Sequence, residues 1–167
     1  MSQDDKSFLN MAGEFAVASE LNRRSLLASV TYGTSKSADV IVVDKDVKKV
    51  LRIEVKATDK KKWPLGPKIM NSSHVKSDFF WVLVQFPKAL NETPDSESKR
   101  GEHSPRYFVL SAREIYRVWK KGSDSYKARY FKRHGKKYVG TEVPNVTITE
   151  VCKYEGGWEK ISARLKK

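Results

Sequence analysis

The chain has 167 residues, with 33 Lys and Arg against 20 Asp and Glu, for a formal net charge of +13 and a pI near 9.8. That balance points to a polyanionic partner, above all nucleic acid, whose phosphates release counterions to a basic surface. No apolar run reaches the ~20 residues of a membrane span, the polar start M-S-Q-D-D-K lacks a secretory core, and the single cysteine, Cys152, excludes an intrachain disulfide or a Cys-rich zinc site and suits a reducing cytoplasm.

Residues 7 to 24 place Phe8, Met11, Ala12, Phe15, Ala16 and Leu21 close to helical period, which predicts a helix with that stripe on the core. At about 100° per residue, Glu14 falls between Leu21 on one side and Ala18 and Met11 on the other. An acid there is either a perturbed carboxylate of a site or an ordinary one reaching water from the end of the helix. Val30 and Tyr32 predict a short strand. Gly33 to Ser37 form a small polar loop, either a plain turn or a phosphate contact through amides and hydroxyls.

The stretch from Ser37 to Thr58 reads as two strands joined by a charged turn, the first opening at Asp39. Alternation in the second sends Ile53, Val55 and Ala57 to one face and Arg52, Glu54 and Lys56 to the other. If the strands pair, Asp39 reaches the edge where Glu54 and Lys56 project. Two carboxylates and an ammonium at one point can hold a divalent metal and a water beside a phosphodiester. The competing reading is a solvated charged face of an antiparallel sheet.

Helix with an acid, strand, polar loop, Asp at a strand start, hairpin and Glu-x-Lys: this order resembles the core of the PD-(D/E)XK nuclease superfamily. The run G-T-S-K-S-A-D-V-I-V is similar to the loop-and-Asp segment of its archaeal Holliday-junction resolvases. The resemblance spans about residues 8 to 58 and departs at Ala38, where the superfamily often has Pro. It implies an α/β fold, a restriction-endonuclease-like mixed central sheet flanked by helices. It implies Mg²⁺ or Mn²⁺ held by Asp39, Glu54, the Val55 backbone carbonyl and Glu14, the helix acid of some branches. Lys56 becomes the residue that orients the attacking water or steadies the transition state. Ser35 or Ser37, flanking Lys36, takes the loop position where resolvases place a functional serine.

Beyond Lys56, Lys60, Lys61, Lys62 and Lys68 can grip a phosphate backbone. Trp63 either wedges a distorted DNA step or packs on the domain edge. Phe79 to Phe86 reads as a central strand covered on both faces, and residues 89 to 106 as a long loop. Tyr107 to Leu110 is a strand leading into a capping box at Ser111 and Glu114, whose helix is expected to stop at Gly122. The densest basic stretch, from Lys120 to Lys137, includes Lys132, Arg133, Lys136 and Lys137. Its aromatics Tyr126, Tyr130 and Phe131 either stack on unpaired bases or, as the preferred reading, sit in the core. Val146 to Val151 alternates as a strand, which makes Cys152 a buried thiol. Trp158, Ile161 and Leu165 share one face of a short helix. The expected organisation is one nuclease-like domain over residues 1–167, with a core of about 7–121 and a basic extension of about 122–167.

The sequence therefore leads to a metal-dependent endonuclease acting on DNA. A non-cutting binder of the same fold and an RNA-directed nuclease are the alternatives. A homodimer would present two sites to two strands.

Overall fold

A five-stranded mixed sheet forms the middle layer, in the order β1-β2-β3-β5-β6. The computed structural model describes residues 3–31, 38–72, 75–87 and 104–166. Its elements in chain order are helix α1 (Gln3–Arg23), strands β1 (Leu27–Val30), β2 (Val40–Val43), β3 (Val50–Thr58), β4 (Lys62–Pro64), β5 (Phe79–Gln85) and β6 (Arg106–Ser111), helix α2 (Ala112–His134), strand β7 (Asn145–Thr147) and helices α3 (Ile148–Val151) and α4 (Glu159–Lys166). Strands β1, β2 and β3 run antiparallel in turn, β3 pairs parallel with β5, and β5 antiparallel with β6. The mixed sheet flanked by helices is the architecture expected from the sequence. The loop expected at 89–106 falls mostly outside the described residues. No helix among the described residues is long and apolar enough to cross a membrane.

Alternation along β3 and β5 builds a core on each face of the sheet. Leu51, Ile53, Val55, Phe80, Val82 and Val84 meet α1 and α4, with Trp158, Ile161 and Leu165 in the same core. Trp81 and Leu83 point the other way and pack with Trp63, Ile115, Trp119, Val146 and Val151. Strand β5 is thus buried on both faces, as its unbroken apolar run requires. Helix α2 starts with the expected capping box, in which Glu114 accepts from the Ser111 amide and the Ser111 hydroxyl accepts from the Glu114 amide.

Four local expectations are overturned. Helix α1 turns Phe8, Met11 and Phe15 to solvent, at 70%, 45% and 48% exposure, and buries Gly13, Val17, Ala18 and Leu21. The sheet admits the helix so closely that a Cβ on Gly13 would lie 2.7 Å from Ala57 Cβ, so the inward face is the small one. Helix α2 does not stop at Gly122 but runs to His134, where Gly135 at φ 66° caps it and donates its amide to the Phe131 carbonyl. The composition boundary near 122 therefore falls inside a helix. Strand β7 ends at Thr147, where Glu150 accepts from the Thr147 amide and hydroxyl and starts α3. Cys152 consequently follows a helical turn and is exposed, not buried in a strand.

The close approach at Gly13 sets where α1 lies, and with it Glu14. A helix-interior Gly to Ala change normally stabilises by about 1 kcal/mol. Here Gly13→Ala is expected to destabilise the protein, by about 1–3 kcal/mol of overpacking, measured as a lower urea midpoint with an unchanged slope.

Candidate metal and phosphodiester site

Asp39 sits one residue before β2 and is fixed by its own backbone. Its amide donates to the Ile53 carbonyl and its carbonyl accepts from the Thr31 amide, both at 2.9 Å. Its Oδ2 accepts the Val55 amide at 2.7 Å, so the side chain reaches across to β3 where the β2 pairing has ended. Glu54 and Lys56 leave β3 on the face opposite Ile53 and Val55. Lys56 Nζ donates to Glu54 Oε1 at 2.6 Å and stands 6.0 Å from the Trp81 ring centroid. Glu54 is only 8% exposed and, with Trp81 and Ala112, lines a cavity of about 260 Å³. Arg52 and Lys56 on the same face are half-buried, so the buried Glu54 sets it apart from a plain solvated face.

The electrostatics join α1 to this group. Burial, then the charge of Glu54, raises the Asp39 carboxyl above its ordinary range, against the Val55 hydrogen bond and the charges of Lys56 and Lys68. Burial, then Asp39, raises Glu14; Lys56 opposes and Glu54 adds a smaller push. Three acids thus share one desolvated neighbourhood beside one close ammonium. Repulsion of this kind is what a divalent cation removes.

Among the described residues, no group of three or more His, Cys, Asp or Glu stands ready as a metal cage. The expected set of three carboxylate ligands is therefore not assembled by these side-chain positions, in which Lys56 draws on one Glu54 oxygen. Two carboxylates remain a suitable set for Mg²⁺, which keeps several of its waters. Asp39 has one oxygen outside its Val55 bond, and Glu54 one outside its Lys56 bond.

A cleft of about 800 Å³ opens over Glu54 and Lys56, walled by Lys60, Lys62 and Lys68. Lys6 and Asn10 of α1 and Asn145 of β7 also line it, and none of the three was anticipated. Lys6, Asn10 and Glu14 are spaced four apart, so one helix edge carries all three, a signal present in the sequence. Asn145 arrives only because β7 pairs with β4, opposite Pro64. Lys61 is exposed but does not line the cleft, and neither do Lys132, Arg133, Lys136 or Lys137, which are exposed at the end of α2 and just beyond. Trp63 is fully buried, with its indole N–H donated to the Val84 carbonyl at 3.0 Å, so it cannot wedge DNA. Ser35, Lys36 and Ser37 lie outside the described residues.

No family model matches the chain, and no curated protein matches it in sequence. Among solved structures, it is similar to the Holliday junction resolvase Hjc of Archaeoglobus fulgidus, at 12% identity and a TM-score of 0.45, over 86% of this chain and 92% of that one. A likeness this distant carries no inference about activity, which rests on the residues themselves.

Asp39 and Glu14 hold protons more tightly folded than unfolded. Their contribution to stability is therefore lost as pH rises through their raised folded-state values. Asp39→Asn keeps an acceptor for the Val55 amide and removes one charge. In EDTA it is expected to melt above wild type at pH 7, by a margin that shrinks as pH falls toward the ordinary carboxylate range. Mg²⁺ or Mn²⁺ is expected to raise the wild-type midpoint and to leave Asp39→Asn nearly unmoved. Differential scanning fluorimetry across pH, with and without metal, measures both.

Proposed function

We propose that the protein is a metal-dependent endonuclease that hydrolyses DNA phosphodiester bonds, with its site at Asp39, Glu54 and Lys56. The observation that carries this reading is the buried Glu54 with the half-buried Asp39 and Glu14 beside an ammonium, under a cleft walled by lysines. An acidic cluster kept only for stability would sit poorly here, because buried like charges destabilise a fold unless a partner neutralises them. A non-cutting binder would need the lysines but has no use for the acids.

In this reading Asp39 and Glu54 hold the cation, and Glu14 adds a third negative charge from the helix side. The backbone carbonyl of Val55 is a further candidate ligand, since that residue's amide is already tied to Asp39. When bound, a divalent cation neutralises charge developing on the phosphate and makes a coordinated water more acidic. Lys56 then has two tasks. It orients a water beside Glu54, and it places a compact positive charge against the phosphate as negative charge grows there. Lys60, Lys62 and Lys68 bind the flanking phosphates, together with Lys6 and Asn10 of α1. The burial of Glu54 strengthens the interactions made at its carboxylate.

Glu54→Gln is expected to lower Mg²⁺-dependent cleavage of plasmid or oligonucleotide DNA by at least about 10²-fold, the scale of losing a group that acts on transition-state charge. DNA affinity in EDTA should stay equal or rise slightly, because one negative charge is removed. Gel-based cleavage beside an anisotropy titration separates the two effects. Cleavage by Glu54→Gln at the wild-type rate would place the chemistry elsewhere.

A further inference from the structure

The inner face of α2 begins in the core with Ala112, Ile115, Trp119 and Ser123. Continued at helical spacing, the same face presents Tyr126, Tyr130 and His134. There the helix has outrun the core, and Tyr126 is 47% exposed. The preferred expectation that these aromatics fill the core therefore fails. Cover is partial: Tyr138, beyond the Gly135 cap, stands edge-on to Tyr126 and Tyr130 at centroid distances of 5.3 and 5.2 Å. Tyr130 and His134 lie tilted against each other at 4.4 Å. The result is a set of rings fixed at differing angles, in which Tyr126 is exposed while Tyr130, against His134 and Tyr138, is half-buried.

The same turns and the residues just beyond them carry exposed cations: Arg129, Lys132, Arg133, Lys136 and Lys137. Two acids line the groove below: Glu142, paired with Lys127 at 2.8 Å, and Glu150, which accepts from the Thr147 amide and hydroxyl. That groove, about 480 Å³, runs beneath Tyr126, Arg129 and Tyr138. Lys62, Val143 and Asn145 wall it, and the same three residues wall the cleft over Glu54 and Lys56. The two hollows share one boundary, so a chain leaving the carboxylates can pass directly to the rings.

We propose that this groove binds an unpaired DNA strand of the substrate, its phosphates along Lys62 and Arg129 and a base stacked on Tyr126. The partner must be a polyanion that also presents flat apolar faces. A duplex hides its base faces by stacking them internally, and an acidic peptide lacks them. A single strand offers both, and stacking on aromatic residues inside a basic groove is a general way to hold it. The inference deepens the nuclease reading: it makes the substrate one with an unpaired arm adjoining the cleavage point, such as a flap, an overhang or a splayed branch.

The test is a metal-free anisotropy titration in EDTA of labelled oligo-dT, oligo-U and a duplex of equal length, with wild type, Tyr126→Leu and Tyr126→Trp. Leu keeps an apolar contact to Tyr138 and loses the stacking face; Trp keeps both. Tyr126→Leu is expected to weaken oligo-dT binding by about tenfold, the scale of one lost base–aromatic stack, with duplex affinity unchanged and Tyr126→Trp binding as wild type does. Unchanged oligo-dT affinity in Tyr126→Leu, equal losses on single strand and duplex, or a preference for oligo-U would overturn the proposal. Because the titration contains no metal, it reads the groove independently of Glu54. A protein that passes it and cuts nothing would retain the strand-binding groove and lose the nuclease reading.

Discussion

The constraint on which the rest depends is the place of β3, whose α1 face is apolar and whose other face buries Glu54 while leaving Arg52 and Lys56 half-buried. As the middle strand of five, it must place every second side chain under α1 and α4, and Leu51, Ile53 and Val55 satisfy that. The intervening positions then face the layer containing Trp81 and α2, where an apolar residue would be the simplest choice. Glu54 occupies that place instead, almost without solvent, and Lys56 answers it at 2.6 Å. Burying a carboxylate this way is unfavourable unless it is paired and hydrogen-bonded. The pairing here is incomplete, because Asp39 and Glu14 add like charge to the same neighbourhood.

Placement of those further acids follows from the same strand. Asp39 can bond to the Val55 amide because β2 stops pairing at Ile53 and leaves that amide available. Glu14 is held near because Gly13 lets α1 descend onto Ala57. Strain of this electrostatic kind persists in a fold when the surroundings over-determine it, and it concentrates at functional positions. That is the physical link between the core of this protein and the activity proposed for it.

Much of the architecture was legible because it depends on local pattern. The run from Phe79 to Phe86 could only be a strand covered on both faces, and Ser111 with Glu114 marked a helix start. Alternation from Leu51 to Ala57 separated Glu54 and Lys56 from the apolar side. The errors arose where tertiary contact decides between equal local signals. Gly122 and Gly135 look alike in sequence, yet Gly122 lies inside a helix where a Cβ would stand 3.0 Å from Glu150 Oε1, while Gly135 takes the left-handed cap. The apolar stripe Phe8, Met11 and Phe15 was more prominent than Gly13, Val17 and Ala18, but close packing on the sheet selected the smaller face. Asn145 could not be placed at the cleft before the pairing of β4 with β7 was known. The cap of Thr147 by Glu150 replaces the strand that alternation from Val146 to Val151 predicts.

The most direct test of the central claim is the location of a bound ion. Crystals soaked in Mn²⁺ and measured near the manganese absorption edge reveal the ion by its anomalous signal. The account predicts a peak between the Asp39 and Glu54 carboxylates, absent from crystals of Asp39→Asn. A well-formed site with its cleft open to solvent and no peak there, or a peak coordinated by other residues alone, would contradict it.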